Sequence, residues 1–323
     1  MVGPGAVGEM PVDVVYTWVD DQWPGYANLL AQHAQEPVDL DPSRTRDNLD
    51  LLRFSFRSLE RFAPWVRKIY LLTCRPQVPG WLNPNHPQIR IVHHDEIIPG
   101  SILPTFNSLA IVSYLHLIPG LSDNFVYLED DMLLRAPLHP ESLCTGDGKL
   151  KVFRWHLRAP RWQDIASPDT ERPWNLALAE SNRLLDSQFG ESLRRQLCHM
   201  PRLINKRQWE RMMEMFDEAI AATRKSRFRQ SGNVAPEFIY PWMMLAENSA
   251  ALAPESEAKS RSGYVPLENV WPITLWAMLQ ARWRQAEWLT FNDNLPARPS
   301  VVTEALVRWQ LQSWFPEPSR FER

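Results

Sequence analysis

Nowhere in the 323 residues does an uninterrupted apolar stretch approach 18 side chains, so no segment reads as a membrane span. Cysteine is scarce: Cys74, Cys144 and Cys198 are odd in number, widely spaced and without a C-x-x-C pair. That pattern excludes a disulfide framework and a thiolate zinc site as first readings, and fits reduced thiols in a cytosol. Neither sign of charge is in excess, with 35 basic against 38 acidic residues, so the chain carries no global footprint for nucleic acid. The opening MVGPGAVGEMPVDVV lacks the basic and apolar regions of a secretory leader. No internal repeat or low-complexity tail is present. Proline and tryptophan, by contrast, are abundant, at 28 and 15 residues. Proline above its usual ~5% predicts many fixed turns. The tryptophans suit either a core or platforms for sugar rings.

The first half alternates strand and helix patterns. Val12–Val19, Lys68–Thr73, Gln88–His93 and Asn124–Leu128 are short β-branched and aromatic runs of the kind buried on both faces of a parallel sheet. Leu150–Trp155 suggests a fifth strand. Between them, Leu49, Leu52, Phe56 and Leu59 recur at helical spacing up to Pro64, and Phe106–Ile118 reads as a helix closed by Pro119-Gly120. This alternation predicts an α/β layered fold with a mainly parallel sheet over residues 11–160. Residues 161–323 read as mainly helical, with helices over 176–189, 204–222, 236–247, 272–281 and 301–315, and a mobile loop over 248–263.

Acids gather where such a sheet collects ligands, at the carboxyl ends of its strands. Asp20 and Asp21 follow the first strand, and Glu129, Asp130 and Asp131 follow the fourth. Unpartnered buried carboxylates are costly. Paired Asp residues at a strand end can hold Mg²⁺ or Mn²⁺ against a diphosphate, although a double Asp equally closes turns or caps helices. His199, in CHMPR, and the cluster Arg227-Phe-Arg229 offer an imidazole and two guanidinium forks. A lone histidine is more often packed than catalytic, and arginines near a helix end also answer its dipole. Phe291-Asn-Asp293-Asn294 repeats the theme of an apolar approach ending in polar residues, and alone would be read as a turn.

Four blocks, in order, resemble the Stealth family of sugar-1-phosphate transferases. They are DVVYTWVD at 13–20; RDNLDLLRFSFRSLERFAPWVRKIYLLT at 46–73 with LPTFNSLAIVSYLHLIPGLSDNFVYLEDDM at 103–132; NRLLDSQFG through CHMPRLI to SRFRQSGN; and FNDNLPARPSVVTEALVRWQLQSWFPEPSRFE at 291–322. The resemblance covers most of the chain. It implies one catalytic unit over 1–323 with a nucleotide-sugar-binding sheet of the GT-A or Rossmann-like kind. It also implies transfer of a sugar-1-phosphate from a UDP-sugar, GlcNAc-1-phosphate or another hexose-1-phosphate, to a hydroxyl of a glycan or polysaccharide acceptor, with UMP released.

The same resemblance implies residue roles. Asp131, His199 and Arg229 fall on catalytic positions. Asp130, Asp131, Asp293 and Asn294 fall on positions for a divalent cation, Mg²⁺ or Mn²⁺. Trp18, Asp20, Arg46 and Asn48, with Asp47, and Thr105, Asn107 and Ser108 of the TFNS segment, fall on the donor side. His199 could accept the acceptor's proton or only donate to phosphate. The chain departs from the family pattern at WVDDQ, where relatives continue WVDGSD, and at Glu129, where an Asn is frequent. Capsule or exopolysaccharide synthesis implies a cytoplasmic enzyme, peripheral to the inner face of the membrane through its assembly partners. A metal-dependent glycosyltransferase releasing UDP, a nucleotide-sugar hydrolase and a silent glycan-binding protein are the competing readings.

Overall fold

The computed structural model describes residues 11–35, 40–41, 45–47 and 49–323. Its centre is a five-stranded sheet in the order β3-β2-β1-β4-β9, made of β1 (Val12–Trp18), β2 (Ile69–Thr73), β3 (Ile89–His93), β4 (Asn124–Glu129) and β9 (Arg202–Asn205). β1 to β4 run parallel, and β9 closes one edge antiparallel to β4. The α/β expectation holds in this mainly parallel sheet. Its strands read as unbroken apolar runs because both faces are covered. Val15, Phe125 and Tyr127 pack one way, against α4 (Ser108–Val112), α6 (Lys206–Met215) and α8 (Pro236–Ala246). Val14, Tyr16, Val126 and Leu128 pack the other way, where α2 (Leu51–Phe62) brings Leu52, Phe56 and Leu59.

A second sheet, β11-β12-β5, is joined to the first by the acids. β4 ends at Glu129, Asp130-Asp131 turns the chain, and β5 (Met132–Leu134) pairs antiparallel with β12 (Trp288–Asp293), itself parallel to β11 (Ser262–Leu267). α2 fixes this corner from below: Ser55 Oγ donates to the Met132 carbonyl and Ser58 Oγ accepts from Leu134 N at 3.0 Å. α10 (Trp271–Trp283) and α11 (Val301–Trp314) pack on the second sheet through Met278, Ala281, Val307 and Leu311. The remaining helices are α1 (Tyr26–His33), α3 (His94–Ile97), α5 (Pro173–Phe189), α7 (Asp217–Lys225) and α9 (Glu255–Arg261).

Several expectations are corrected. The helix over 106–118 is only the short α4 followed by a 3₁₀ turn at Leu115–Leu117. There Ser113 Oγ turns back onto the Ala110 carbonyl at 2.6 Å, in competition with helix continuation. The helix expected from Ile204 starts at Lys206, because Arg202–Asn205 is drawn into the sheet beside β4, and it breaks at Phe216. Asn205 then caps α6 by accepting from Gln208 N at 3.2 Å. The polar stretch 248–263 is ordered rather than a loop. β10 (Ala250–Leu252) pairs with β6 (Leu150–Val152), and Glu257 of α9 is held by Lys151 at 3.1 Å and Arg261 at 2.9 Å. The run at 150–155 divides into β6 and β7 (Arg154–Arg158); β7 pairs with β8 (Arg195–Leu197), and neither enters the central sheet. The helix-rich second half thus also contributes five strands. No helix among the described residues is long and apolar enough to cross a membrane.

Candidate active site

The parallel register sets Glu129 of β4 opposite Thr17 of β1, so the double acid emerges at the carboxyl edge of the sheet beside Trp18. β12 approaches the same turn from the second sheet. Phe291 N donates to the Asp131 carbonyl at 3.0 Å, and Thr290 Oγ1 donates to the His199 carbonyl at 2.8 Å. One strand therefore ties together the acidic turn and the His199 segment, which lies between β8 and β9. The result is a cleft of about 2080 Å³ lined by residues from all four sequence blocks. A typical small-molecule site spans roughly 300–1,000 Å³, so the cleft has room for a donor and part of an acceptor together.

At its floor, Glu129, Asp131 and His199 bring one ligand atom each within 4.8 Å of one another. Glu129 Oε1 accepts from His199 Nε2 at 2.9 Å and from Arg202 Nη1 at 3.0 Å, and Arg202 lies 3.8 Å from Glu237. Burial disfavours the Glu129 charge, yet His199 and Arg202 outweigh it and hold its carboxyl well below the usual range. Burial likewise works against a charged His199, but Glu129 and Asp131 overcome it and raise the imidazole to about 9. The other acids go the opposite way. Burial pushes Asp131 up to about 7 against the pull of His199, and Asp130 rises well above its ordinary value through burial and the neighbouring Asp131, Asp47 and Glu129. Burial also lifts Asp47 to about 7, although Trp18 Nε1 donates to it at 2.7 Å. Asp131 Oδ1 is buried with no hydrogen-bond partner. The floor is short of positive charge, and its donors are hard oxygens with one imidazole. Such a set fits a divalent cation of the Mg²⁺ or Mn²⁺ kind.

The remaining expected residues divide. Arg229 reaches the cleft wall and donates to Ser108 Oγ through Nε at 3.1 Å and through Nη2. Asn107 supports this contact without lining the cleft. It is fully buried, its Oδ1 accepts from Leu109 N at 3.1 Å, and its Nδ2 donates to Asn233 Oδ1 at 2.9 Å and to the Ser226 carbonyl at 3.1 Å. The TFNS segment and the SRFRQSGN loop are thus one unit. α4 is only five residues long, and Asn107 caps it by accepting from Leu109 N. Thr105 is buried at the cleft edge. Arg46 lies 3.3 Å from Asp293 and donates to the carbonyls of Leu295 and Pro296 at 3.2 and 3.1 Å, which pins the Asn-Asp-Asn turn as a wall. Asn294, exposed at that turn, donates to Glu268 at 3.0 Å. Asp20 lies off the cleft lining, and its carboxylate accepts from Gln22 N at 2.9 Å. Asn48 lies outside the described residues. Of the four expected cation ligands, Asp131 alone belongs to the close cluster. Glu129 was read only as one of three acids at the strand end, and Arg202 and Glu237 were not anticipated. In the sequence Glu129 shows as an acid directly before the double Asp and Arg202 as an Arg three residues after His199, and Glu237 has no such signal.

Two family models match the chain: Stealth protein CR2, conserved region 2, over residues 44–152, and Stealth protein CR3, conserved region 3, over 198–246. An exopolysaccharide phosphotransferase of Streptomyces coelicolor is 35% identical over 322 residues, covering 97% of this chain and 52% of that protein. The chain therefore spans about half the length of that relative. A capsular polysaccharide phosphotransferase of Haemophilus influenzae is 34% identical over 259 residues, 76% of this chain and 68% of that protein. Among solved structures, the galactosyltransferase LgtC aligns over 96% of this chain and 98% of its own at 12% identity and a TM-score of 0.44, too loose a likeness to bear on function. With both conserved regions matched in order and the Haemophilus relative covered over two thirds of its length, the chain belongs to the Stealth family.

Proposed function

We propose that this chain transfers a sugar-1-phosphate from a UDP-sugar to a hydroxyl of a polysaccharide acceptor and releases UMP. The observation that carries the reading is the grouping of Glu129, Asp131, His199 and Arg202 at the carboxyl edge of the parallel sheet, in a cleft that Arg229 also lines. The names of the relatives, exopolysaccharide and capsular polysaccharide phosphotransferase, point to the acceptor class. In this reading the acceptor oxygen forms a bond to the phosphorus that bears the donor sugar. The bond from that phosphorus to UMP breaks, and the glycosidic carbon is untouched.

Asp131, with its orphaned oxygen, and Glu129 would hold the divalent cation, with Asp130 adjacent. When bound, the cation supplies positive charge against the diphosphate as the leaving group separates. Asp293 is engaged by Arg46, so its part is to shape the wall beside the donor. Arg229 and Arg202 place guanidinium forks where charge builds on the phosphoryl oxygens. While Glu129 and Asp131 are free of the cation they keep the proton on His199, which then acts as a donor to phosphate. It becomes a base for the acceptor hydroxyl once the surrounding negative charge is offset. Trp18, held by Asp47, offers an aromatic edge to the nucleotide. Peripheral association with polysaccharide assembly partners at the inner membrane face belongs to the same reading.

The test is the nucleotide released from UDP-GlcNAc with Mg²⁺ or Mn²⁺ and a mixed glycan acceptor. UMP that depends on acceptor and disappears with EDTA supports transfer. UMP without acceptor dependence means hydrolysis, and UDP means attack at the sugar carbon and a glycosyltransferase.

A further inference from the structure

α10 turns the usual amphipathic arrangement inside out. Its buried positions are Thr274, Met278 and Ala281, whereas Trp276 is 53% and Trp283 65% exposed, their rings meeting edge-on at 5.4 Å. Trp271 and Ile273 stand open toward the start of the same helix. α11 repeats the arrangement: Thr303, Val307 and Leu311 face inward, while Val301, Val302 and Trp309 face solvent, the last 66% exposed. Single exposed apolar residues are ordinary, but several large ones on two neighbouring helices mark a contact surface. The helices pack against each other over the second sheet, each with an apolar stripe turned to solvent.

The charges beside these stripes lean positive. Exposed Arg282 precedes Trp283, Arg308 precedes Trp309, and Arg298 lies on the loop leading into α11, whereas Arg284 turns to the cleft. α10 contains no acid, α11 only the half-buried Glu304, and the loop after α11 adds exposed Glu317. Since the whole chain has a net charge of −3, this basic excess is local. Tryptophan beside arginine suits the boundary of an anionic bilayer, where indole rings sit at headgroup depth and guanidinium groups meet phosphates. The opposite flank of α10 matters as well: Ala277, Gln280 and Ala281 line the cleft.

We propose that the outward stripes of α10 and α11 form a docking surface for an anionic lipid bilayer. Docking there sets the cleft alongside the membrane, within reach of an acceptor glycan carried on a lipid. This deepens the peripheral association in the function proposed above by naming the surface responsible.

The experiment is flotation of the full chain with vesicles of phosphatidylethanolamine and phosphatidylglycerol, or of phosphatidylcholine alone. Wild type should float with the anionic vesicles, remain largely behind with phosphatidylcholine, and be released by 0.5 M salt, a concentration at which the screening length falls to roughly 4 Å. Trp276→Ser, Trp283→Ser and Trp309→Ser combined should cut binding at least tenfold, and Arg282→Glu with Arg308→Glu should abolish the anionic preference. Both variants should keep the wild-type melting temperature and UMP release with a soluble acceptor. Wild type that stays at the bottom of the gradient with both vesicles overturns the proposal. So does a tryptophan variant that floats as well as wild type. Sedimentation velocity provides the other decisive reading: a wild-type dimer that becomes monomeric in the tryptophan variant, without flotation, assigns the surface to a second copy of the chain. Flotation is read without turnover, so failure of the reaction assay and failure of docking are separate results.

Discussion

Glu322 lies far along the chain from the acidic turn, yet its removal should loosen the corner on which that turn rests. Its side chain is 3% exposed and Arg57 beside it 6%. Oε1 accepts from Arg57 Nε at 2.7 Å and from Ser319 N at 2.8 Å, while Oε2 accepts from Arg53 Nε at 2.6 Å and Arg57 Nη2 at 2.9 Å. Burial alone would raise this carboxyl, but the hydrogen bonds from Arg57, Ser319 and Arg53 outweigh it and bring it down to about 2. A fall of that size from an ordinary Glu corresponds to about 3 kcal/mol of stability at neutral pH. Removing one partner of a buried pair costs roughly 3–5 kcal/mol by comparison with other proteins. Glu322→Gln should therefore lower the melting temperature at pH 7 by roughly 5–10 °C, given about 2–4 °C per kcal/mol in domains somewhat smaller than this. The sign with pH follows from a depressed carboxyl. The contribution is present above the unfolded value, near 4.5, and is lost as pH falls toward 2. The gap between wild type and variant, followed by circular dichroism melts, should narrow steadily from pH 5 to pH 2.5. A variant within 1 °C of wild type at pH 7, or a gap that does not narrow in acid, would refute the reasoning.

At the site, Asp131→Asn should abolish UMP release while leaving the melt unchanged or raised, since it removes a buried charge; near-normal turnover rules out its role. His199→Ala should slow turnover ~10²–10⁴-fold if the imidazole takes the acceptor's proton, and an unchanged rate reduces it to a packing residue. Arg229→Lys should cost at least ~10-fold in kcat, because a point charge does not reproduce a planar fork; wild-type kinetics would remove the phosphate role. In the second sheet, a Cβ at Gly263 would collide with Leu289 Cδ2 and stand 3.1 Å from Ala286 Cβ. Gly263→Ala should thus destabilise by about 1–3 kcal/mol, seen as a lower urea midpoint, and an unchanged midpoint means that β11 yields freely.

The four parallel strands of the central sheet were legible because burial writes them as continuous β-branched runs, and β1, β2, β3 and β4 fall where those runs lie. The second sheet was less so. β5 is only three residues long, and β11 carries Gly263 and Pro266 within a polar neighbourhood. What makes β11 a strand is parallel pairing with β12 across six residues, a contact that local composition does not encode. The start of α6 was misplaced for the same reason: Arg202–Asn205 continues the apolar pattern of the helix, and only the edge of β4 makes it a strand.

At the site, the acids and His199 were visible as residue types, but their partners were not. Glu129 reads in sequence as one more acid at a strand end, whereas in space it is where His199 and Arg202 meet. Asn107 shows the converse. Its motif marks it as a donor-side residue, and the fold spends its amide on Asn233 and the Ser226 carbonyl. Motif membership therefore picked out segments that the fold brings to one cleft, without separating side chains that face the cleft from those that hold its wall. That separation rests on burial and hydrogen-bond saturation. A fully buried amide with its acceptor and donor engaged has nothing left for a ligand, whereas the orphaned Asp131 Oδ1, at the floor of the cleft, does.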